Sequence, residues 1–298
     1  MGRADPRLRA RLGRFFSPGS LLGPPTTRQL LAIYREYGLD PRSAHPRLFE
    51  TETLAHMRQD QVQALFRAMG MSGAHRVLSL GEGNGAVSRV LAKTVGCRVT
   101  GVDFNARLVA SARSLAKVHG VAGRVEYLVQ DVGALSLGAR RFDRVYAQET
   151  MCHWPDKEGA LRRVLERLAP GAMVGIHDWL RGDRGGLDEG LRRLPALARL
   201  YPRGIWFQYR LEELCGLLER LGLEVVLAED LTDAVDEGLR KSLAFIAAVS
   251  RVTTDRARAA ARAFRAVLPA HYSYLRYGRV VARRRRWPSL SASYSRRP

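Results

Sequence analysis

The sequence predicts an α/β fold: a doubly wound, mostly parallel sheet of seven strands, with an antiparallel edge strand and helical lid segments. Two observations favour this class. From residue 76 onward, short apolar runs alternate with amphipathic stretches of helical period. Three glycines stand directly after the first apolar run, where a strand turns into a helix. Strands alternating with helices form crossover units, which place parallel strands side by side with right-handed connections.

The elements follow in order along the chain. The predicted strands are residues 77–80, 98–102, 125–129, 142–147, 172–177, 224–228 and 277–282. The predicted helices from the first strand onward are residues 86–94, 106–119, 157–168, 187–200, 211–221 and parts of 234–268. Two more helices, residues 29–37 and 50–69, precede the first strand, as a cover would. The last two strands are joined by a long helical excursion, which allows the antiparallel edge strand.

The composition divides the chain into a core with appendages. The expected segments are a flexible basic leader (1–25), an N-terminal helical cover (26–74), a core (75–282) with a lid insertion around 181–210 and a helical cover around 234–270, and a basic disordered tail (283–298).

The basic residues are concentrated at the two ends of the chain. The formal net charge is +20, and 11 of these charges lie in the first and last 20 residues. This placement argues against a nucleic-acid partner, whereas a short basic amphipathic segment around Leu8 and Leu12 leaves contact with a membrane surface open. Three cysteines without CxxC spacing indicate a reducing compartment and no zinc site, and no other metal-ligand spacing is convincing. We therefore expect a cytoplasmic monomer or homodimer that acts on a small molecule, without a metal.

The glycine-rich turn carries the strongest indication of a ligand. Gly81, Gly83 and Gly85 permit positive φ and leave the N–H groups of the following helix free to bind. Asp103 ends the next strand, about 20 residues further on, where a carboxylate suits ribose hydroxyls. No cationic side chain precedes Arg89 in the turn. A nucleoside without phosphates therefore fits better than a dinucleotide or a triphosphate.

Five ordered sequence blocks make the pattern specific: VLSLGEGNG, TGVDFN, VQDV, FDRVYAQETMCHWPD and RLAPGAMVGIHDW. In order and spacing they resemble the class I S-adenosylmethionine-dependent methyltransferases, and within these the sterol, tocopherol and natural-product small-molecule methyltransferases. The resemblance is good over about residues 55–180 and looser beyond. It implies a Rossmann-like methyltransferase core, S-adenosyl-L-methionine as the cofactor, and methyl transfer as the reaction.

The resemblance also implies a cofactor contact at each matching position. Gly81, Gly83 and Gly85 would border the methionine part and the ribose. The other implied contacts are Asp103 with the ribose hydroxyls, Phe104 with the adenine face, Asp131 with the adenine amino group, Val132 through its N–H with the adenine ring, and Gln148 through its backbone with the methionine ammonium.

One position departs from the family pattern. Many members carry an acid two residues before the first glycine, to help hold the cofactor's ammonium, and this chain has Ser79 there. Glu82, inside the turn, would supply the missing charge. Without it, the loss of charge assistance predicts weaker cofactor binding, or a non-catalytic cofactor-binding relic.

Glu149 and His153 are the predicted catalytic residues. They stand four residues apart just after the fourth strand and would share one face of a helical turn beside the methyl donor. His153 would act as general base, while Glu149 would orient it, deprotonate the acceptor or steady positive charge. The alternatives are that Glu149 binds the cofactor's ammonium and that His153 caps the next helix. His177 and Asp178, at the tip of the fifth strand, also face the ligand edge. We favour a structural role for them, through an N-cap and strand-end hydrogen bonds, with catalysis as the alternative.

Aromatic residues concentrate in the segments that would cover the site, namely Trp154, Trp179, Tyr201, Trp206, Phe207, Tyr209, Tyr272, Tyr274 and Tyr277. Aromatic faces suit an apolar substrate or a developing cation. The sequence thus predicts methyl transfer to a lipophilic or aromatic small molecule, such as a secondary metabolite, a sterol-like compound or a terpenoid, with O-, N- or C-transfer open. The alternatives are a prenyl diphosphate C-methyltransferase, an RNA or DNA methyltransferase, and the relic.

Overall fold

A seven-stranded sheet forms the centre of the computed structural model, which describes residues 5–17, 25–53, 58–198, 200–238, 240, 262 and 271–285. The strands are β1 (Arg76–Leu80), β2 (Arg98–Asp103), β3 (Val125–Val129), β4 (Phe142–Gln148), β5 (Leu168–Arg181), β6 (Leu223–Asp230) and β7 (Leu275–Arg284). Their spatial order is β3-β2-β1-β4-β5-β7-β6. The pairs from β3 to β5 are parallel, and β7 runs antiparallel to both β5 and β6. The predicted fold class is confirmed, with β7 lying one place inside the edge strand β6.

Helices cover both faces of this sheet. They are α1 (Pro6–Phe15), α2 (Thr27–Glu36), α3 (Pro46–Glu52), α4 (Gln59–Ala68), α5 (Ala86–Thr94), α6 (Ala106–Val118), α7 (Lys157–Leu165), α8 (Leu187–Arg193), α9 (Pro195–Ala198) and α10 (Leu211–Arg220). One buried cluster joins α4, α5 and α6 to one sheet face, and a second joins α7 and α10 to the other. The carboxyl ends of the parallel strands meet at one edge, where this class of fold binds ligands.

Two predicted helices are interrupted. The expected helix over residues 50–69 is wrong, because Thr53 and Arg58 have extended backbones that end α3 and begin α4. The expected helix over residues 187–200 is broken at Leu194, which is extended because it precedes Pro195. In both cases the apolar period continues through the break, so the period alone hides it.

The predicted N-terminal leader contains a helix. Helix α1 occupies most of residues 5–17; Asp5 caps it by accepting the N–H of Arg7, and Pro6 stands in its first turn. Leu8 and Leu12, four residues apart, are buried against Ile205. The apolar stripe that left membrane contact open is thus used inside the fold.

The last strand extends into the predicted basic tail. Strand β7 continues through Arg284, because Arg283 forms an ion pair with Glu224 at 3.0 Å and Arg284 donates to the carbonyl of Leu165 at 2.9 Å. Residues 286–298, and most of the predicted helical cover 234–270, lie outside the described residues, although 232–238 is helical. In the described part of the chain, no helix has both the length and the apolar character of a membrane span.

A buried ionic cluster ties the N-terminal helices to the core. Glu52 at the end of α3 accepts hydrogen bonds from the Tyr34 hydroxyl (2.5 Å) and from Arg89 Nε on α5 (3.1 Å), and it lies 3.1 Å from the imidazole of His119. Burial alone would raise the pKa of Glu52, but the Arg89 guanidinium and the His119 hydrogen bond lower it to about 2. Asn84, in the glycine turn, donates to the Glu52 carbonyl at 2.6 Å. The cover therefore holds the turn directly.

We expect Glu52→Ala to lower the free energy of unfolding by about 3–5 kcal/mol, because it leaves the buried Arg89 charge without its partner. The measurement is urea-induced unfolding at pH 7. The control is Asp60→Ala, which removes an exposed partner of Arg58 and should change the same free energy by less than about 0.5 kcal/mol. Equal effects of the two substitutions would show that the cluster does not stabilise the fold.

Candidate active site

The glycine turn is packed too tightly for side chains. Gly81, Gly83 and Gly85 have φ values of 64°, 62° and 85°, in the left-handed region that favours glycine. A Cβ at Gly81 would overlap the side chain of Thr150, and one at Gly85 would overlap the hydroxyl of Tyr127. The turn therefore lies directly against the loop that follows β4.

Asp103 is fixed beside this turn, as predicted from its place at the end of β2. Its Oδ2 accepts the N–H of Gly83 at 2.8 Å, and its Oδ1 accepts the N–H of Asn105 at 2.8 Å. Burial raises the pKa of Asp103, and these two bonds oppose the rise. Each carboxylate oxygen has a second lone pair, so both can still accept from hydroxyl groups.

Glu82 and Ser79 lie together. The carboxylate of Glu82 accepts from the Ser88 hydroxyl at 2.5 Å, from the Tyr146 hydroxyl at 3.5 Å, and from Ser79. Burial raises the pKa of Glu82, and the bonds from the two serines oppose the rise. An acid therefore does stand beside Ser79, although the turn and not the strand carries it.

Helix α1 covers the region expected to hold the adenine. Arg9 forms an ion pair with Asp131, whose other oxygen accepts the N–H of Gly133 at 2.8 Å. Val132 is buried at the start of a short 3₁₀ turn, and Phe104 packs in the same cluster as α1. The sequence reasoning missed Arg9, because no local pattern links it to a residue so distant in the chain.

Asp178 fixes the loop after β4. Its Oδ2 accepts the N–H of Met151 at 2.6 Å and those of Thr150 and Cys152 at 3.2 Å, while its Oδ1 accepts the N–H of Trp179 at 2.7 Å. Burial raises the pKa of this carboxyl to about 6. The structural interpretation of Asp178 agrees with these bonds, since they close the 3₁₀ turn Met151–His153.

Glu149 lies just before that turn, with a φ of 49° that is the only positive value for a non-glycine residue in the described ranges. Its carboxylate accepts from the Tyr277 hydroxyl at 3.0 Å and from Trp179 Nε1 at 3.2 Å. The expected helical face shared with His153 does not form, because the turn begins after Glu149. The His153 ring bonds instead to the carbonyl of Ile205.

His153 is held in one tautomer. Its Nδ1 lies 2.8 Å from the carbonyl of Ile205, which can only accept, so the proton is on Nδ1 and the lone pair on Nε2. The ring packs against Phe16 and Trp206, and burial lowers the pKa of the imidazole to about 4. His153 does not cap α7, because Asp156 does so by accepting the N–H of Gly159.

Lys157, which the sequence reasoning missed, joins the loop after β4 to the lid insertion. Its ammonium donates to the carbonyls of Trp154 (2.9 Å) and Phe207, and lies 4.8 Å from the centre of the Tyr209 ring. Burial lowers its pKa to about 8. The one sequence signal is its spacing with Leu161 on the buried face of α7.

Gln148 ends β4 beside His177 of β5. Its backbone is therefore at the carboxyl edge of the sheet, as expected. Its side chain lies on one face of the sheet and is buried. Within the described ranges, no group of three or more His, Cys, Asp and Glu side chains could hold a metal ion.

The two buried imidazoles predict a pH dependence of stability. Burial lowers the pKa of His153 to about 4, and burial with the nearby Arg279 charge lowers that of His177 to about 3. Both folded values lie below the unfolded value of about 6.5, so this stability is fully present above pH 6.5 and is lost on acidification. Each imidazole should lower the free energy of unfolding by about 1.4 kcal/mol per pH unit below about pH 6, toward its folded pKa.

Urea-induced unfolding of the parent, His153→Gln and His177→Gln at intervals from pH 8.5 to 4.5 measures these slopes. Below pH 6, each substitution should reduce the slope of unfolding free energy against pH by about 1.4 kcal/mol per pH unit, which corresponds to one bound proton. Between pH 7.5 and 8.5 the slope should not change. Parallel curves for parent and variants would contradict the assignment of buried neutral imidazoles.

Comparison with known proteins agrees with this geometry. Residues 77–171 match the family model described as a methyltransferase domain. The sterol 24-C-methyltransferase of Saccharomyces cerevisiae is 27% identical over 204 residues, which cover 68% of this chain and 53% of that enzyme. The chain thus spans about half the length of the curated relatives it matches.

Solved structures show the same fold. A Haemonchus contortus phosphoethanolamine N-methyltransferase 2 in complex with S-adenosyl-L-methionine has a TM-score of 0.69 and 20% identity, covering 92% of this chain and 60% of that one. Geranyl diphosphate C-methyltransferase from Streptomyces coelicolor A3(2) has a TM-score of 0.63 and 14% identity, covering 94% and 99%. Residues 77–171 thus form a methyltransferase domain, and the chain has the fold of S-adenosylmethionine-dependent methyltransferases.

Proposed function

We propose that this protein transfers the methyl group of S-adenosylmethionine to a lipophilic or aromatic small molecule. The observation that carries the proposal is the arrangement at the carboxyl edge of the sheet. There Gly81 packs against Thr150 in the loop after β4, and Glu149 of that loop lies between Trp179 and Tyr277. A methyl-donor site and an aromatic acceptor site would share this edge.

The residues at the glycine turn suit the cofactor of the family. Asp103 has both oxygens fixed by backbone N–H groups and retains lone pairs for two ribose hydroxyls. Glu82 and Ser79 together keep one acid near the turn, which supports an active enzyme in preference to a non-catalytic relic. The bound cofactor would supply an activated methyl group, so the protein's own task is alignment and charge stabilisation.

His153 and Glu149 would serve different parts of the reaction. The imidazole is neutral at pH 7, with its lone pair on Nε2, and can accept a proton from an O–H or N–H acceptor. Glu149, held by Tyr277 and Trp179, would stabilise positive charge that develops on an acceptor packed beside these aromatic rings. This division leaves O-, N- and C-transfer as alternatives.

A nucleic-acid substrate has less support. Two arginines at the carboxyl edge of the sheet are paired with acids on the protein itself, in the pairs Arg181–Glu213 and Arg276–Asp183. Binding to a phosphate backbone needs cations that are free to release counterions. We accordingly propose a small-molecule methyltransferase in preference to an RNA or DNA enzyme.

The cell compartment, the assembly and the division into segments belong to the same proposal. Cys97, Cys152 and Cys215 are free thiols, which suits a cytoplasmic protein. We propose a monomer or homodimer in which residues 26–74 cover the core and residues 181–210 form a lid over the loop after β4. The hydrogen bond from the Phe207 N–H to the Cys152 carbonyl supports the lid.

Substitutions at Asp103, Glu149 and His153 should distinguish residues that bind the cofactor from residues that act in methyl transfer. Asp103→Ala should raise the dissociation constant of S-adenosylmethionine by about tenfold or more, because it removes a charged acceptor of two hydrogen bonds. Glu149→Gln and His153→Gln should leave that constant within about threefold but lower the turnover rate by about a hundredfold. The control is Glu126→Ala, which removes an exposed partner of Arg140.

Isothermal titration calorimetry measures the cofactor constants, and transfer of labelled methyl groups to sterol, polyketide, amine and prenyl diphosphate pools measures turnover. No heat and no thermal shift with millimolar cofactor would contradict the proposal as a whole. Unchanged turnover in both Glu149→Gln and His153→Gln would contradict only the roles assigned to these residues.

Helix α1 should control how fast the cofactor exchanges. Because Arg9 holds α1 over Asp131, Arg9→Ala should speed both association and dissociation of the cofactor by about fivefold, with a nearly unchanged equilibrium constant. Stopped-flow tryptophan fluorescence measures both rates. Arg7→Ala, an exposed position on the same helix, is the control. Identical rates in the two variants would mean that α1 does not cover the site.

A further inference from the structure

Three polar side chains form a row across one face of the sheet, and we call them the polar row: Gln148, His177 and Arg279. In the parallel pairing of β4 with β5, Gln148 is opposite His177. In the antiparallel pairing of β5 with β7, His177 is opposite Arg279. Directly opposed residues on neighbouring strands point to the same face, so the three side chains are neighbours.

The polar row is buried but not satisfied by the protein. The residues are 8%, 0% and 8% exposed, in chain order. Both amide atoms of Gln148, both ring nitrogens of His177 and Nη1 of Arg279 have no hydrogen-bond partner among the described residues. Folded proteins pair nearly all buried polar atoms, so five such atoms side by side mark a place that binds something polar.

The polar row borders the proposed acceptor site. Gln148 directly precedes Glu149, and His177 lies two residues before Trp179 on the same face of β5. Tyr277, two residues before Arg279 on β7, donates to Glu149 and has its ring centre 6.1 Å from that of His177. Trp179 and Tyr277 pack edge to face with their ring centres 5.0 Å apart, so a molecule that packs against this pair would have the polar row at one end.

The charges around the polar row favour a neutral ligand. Arg279 is already paired with Glu229 on the neighbouring strand, at 2.7 Å through Nε and 2.6 Å through Nη2. The low pKa of His177 keeps its imidazole neutral, because burial and the Arg279 charge both disfavour protonation. Among the described residues at the polar row no uncompensated positive charge remains, so a buried diphosphate or carboxylate would lack a counter-charge there.

A hydroxyl group matches the free atoms. Nη1 of Arg279 and the amide nitrogen of Gln148 can donate to its oxygen, and a ring nitrogen of His177 can accept its proton. We propose that the polar row binds a hydroxyl group of the methyl acceptor, so that the acceptor is a hydroxylated apolar molecule and not a prenyl diphosphate. This inference rests on the proposed function, because it assigns a substrate class to the same site.

The test uses three probes that share a benzene ring and differ in one substituent. Phenol carries a hydroxyl group, toluene a methyl group and phenyl phosphate a phosphate group. The full-length protein is labelled with ¹⁵N-histidine and saturated with S-adenosylhomocysteine, and the imidazole signals are followed by NMR. The signal that His177→Leu removes is that of His177. Because the readout is this ring itself, the result stands whether or not the protein transfers a methyl group.

Phenol should shift the His177 signal with saturation at millimolar concentration, while toluene and phenyl phosphate should leave it unshifted. Gln148→Leu should weaken phenol binding by about tenfold, since it removes one buried hydrogen-bonding partner. His75→Leu, at the opposite end of the sheet, is the matched control and should leave phenol binding unchanged.

Several results would overturn the inference. Tighter binding of phenyl phosphate would make the polar row an anion site. Equal shifts with toluene would mean that the hydroxyl is not recognised. No shift with phenol would mean that the polar row is closed to ligands and only structural. An unchanged affinity of Gln148→Leu for phenol would show that the Gln148 amide does not bind the hydroxyl group, contrary to the proposed site.

Discussion

The candidate site depends on one buried carboxylate, that of Asp178. It accepts four backbone N–H groups, three of them from consecutive residues of the loop after β4. Without it, these donors would be buried without partners. The same bonds hold Glu149 in a left-handed backbone conformation, which costs about 1–3 kcal/mol for a non-glycine residue. The hydrogen bonds at the end of β5 thereby orient the Glu149 side chain toward Tyr277 and Trp179.

The parts of the site that the sequence could predict are those set by local geometry. The glycine turn and Asp103 follow from where two parallel strands end, because the carboxyl ends of such strands must meet at one edge. Arg9 lies 122 residues from Asp131, and its contact depends on how α1 packs against Ile205. Nothing in a local pattern carries that information, so the sequence alone predicts a leader where the fold has helix α1.

The helical period also predicts a longer helix than the structure contains. The apolar spacing over residues 50–69 suits one helix, yet the backbone is extended at Thr53 and Arg58, and Glu52 ends α3 in contact with Arg89. Satisfying the buried Arg89 charge is worth more than helix continuation, which adds at most a few tenths of a kcal/mol per residue beyond packing. The apolar period of a sequence indicates which residues face inward, but it does not indicate where a helix ends.

Ser79 shows why a departure from a family pattern must be weighed in three dimensions. Taken alone, a serine in place of an acid implies weaker cofactor binding. In the fold, Glu82 lies beside Ser79 and accepts hydrogen bonds from it, from Ser88 and from Tyr146. Burial raises the pKa of Glu82, and the serine donors counter this by stabilising its ionised form. The serine thus supports an acid on the turn, so the charge that the family pattern places on the strand is carried here by the turn.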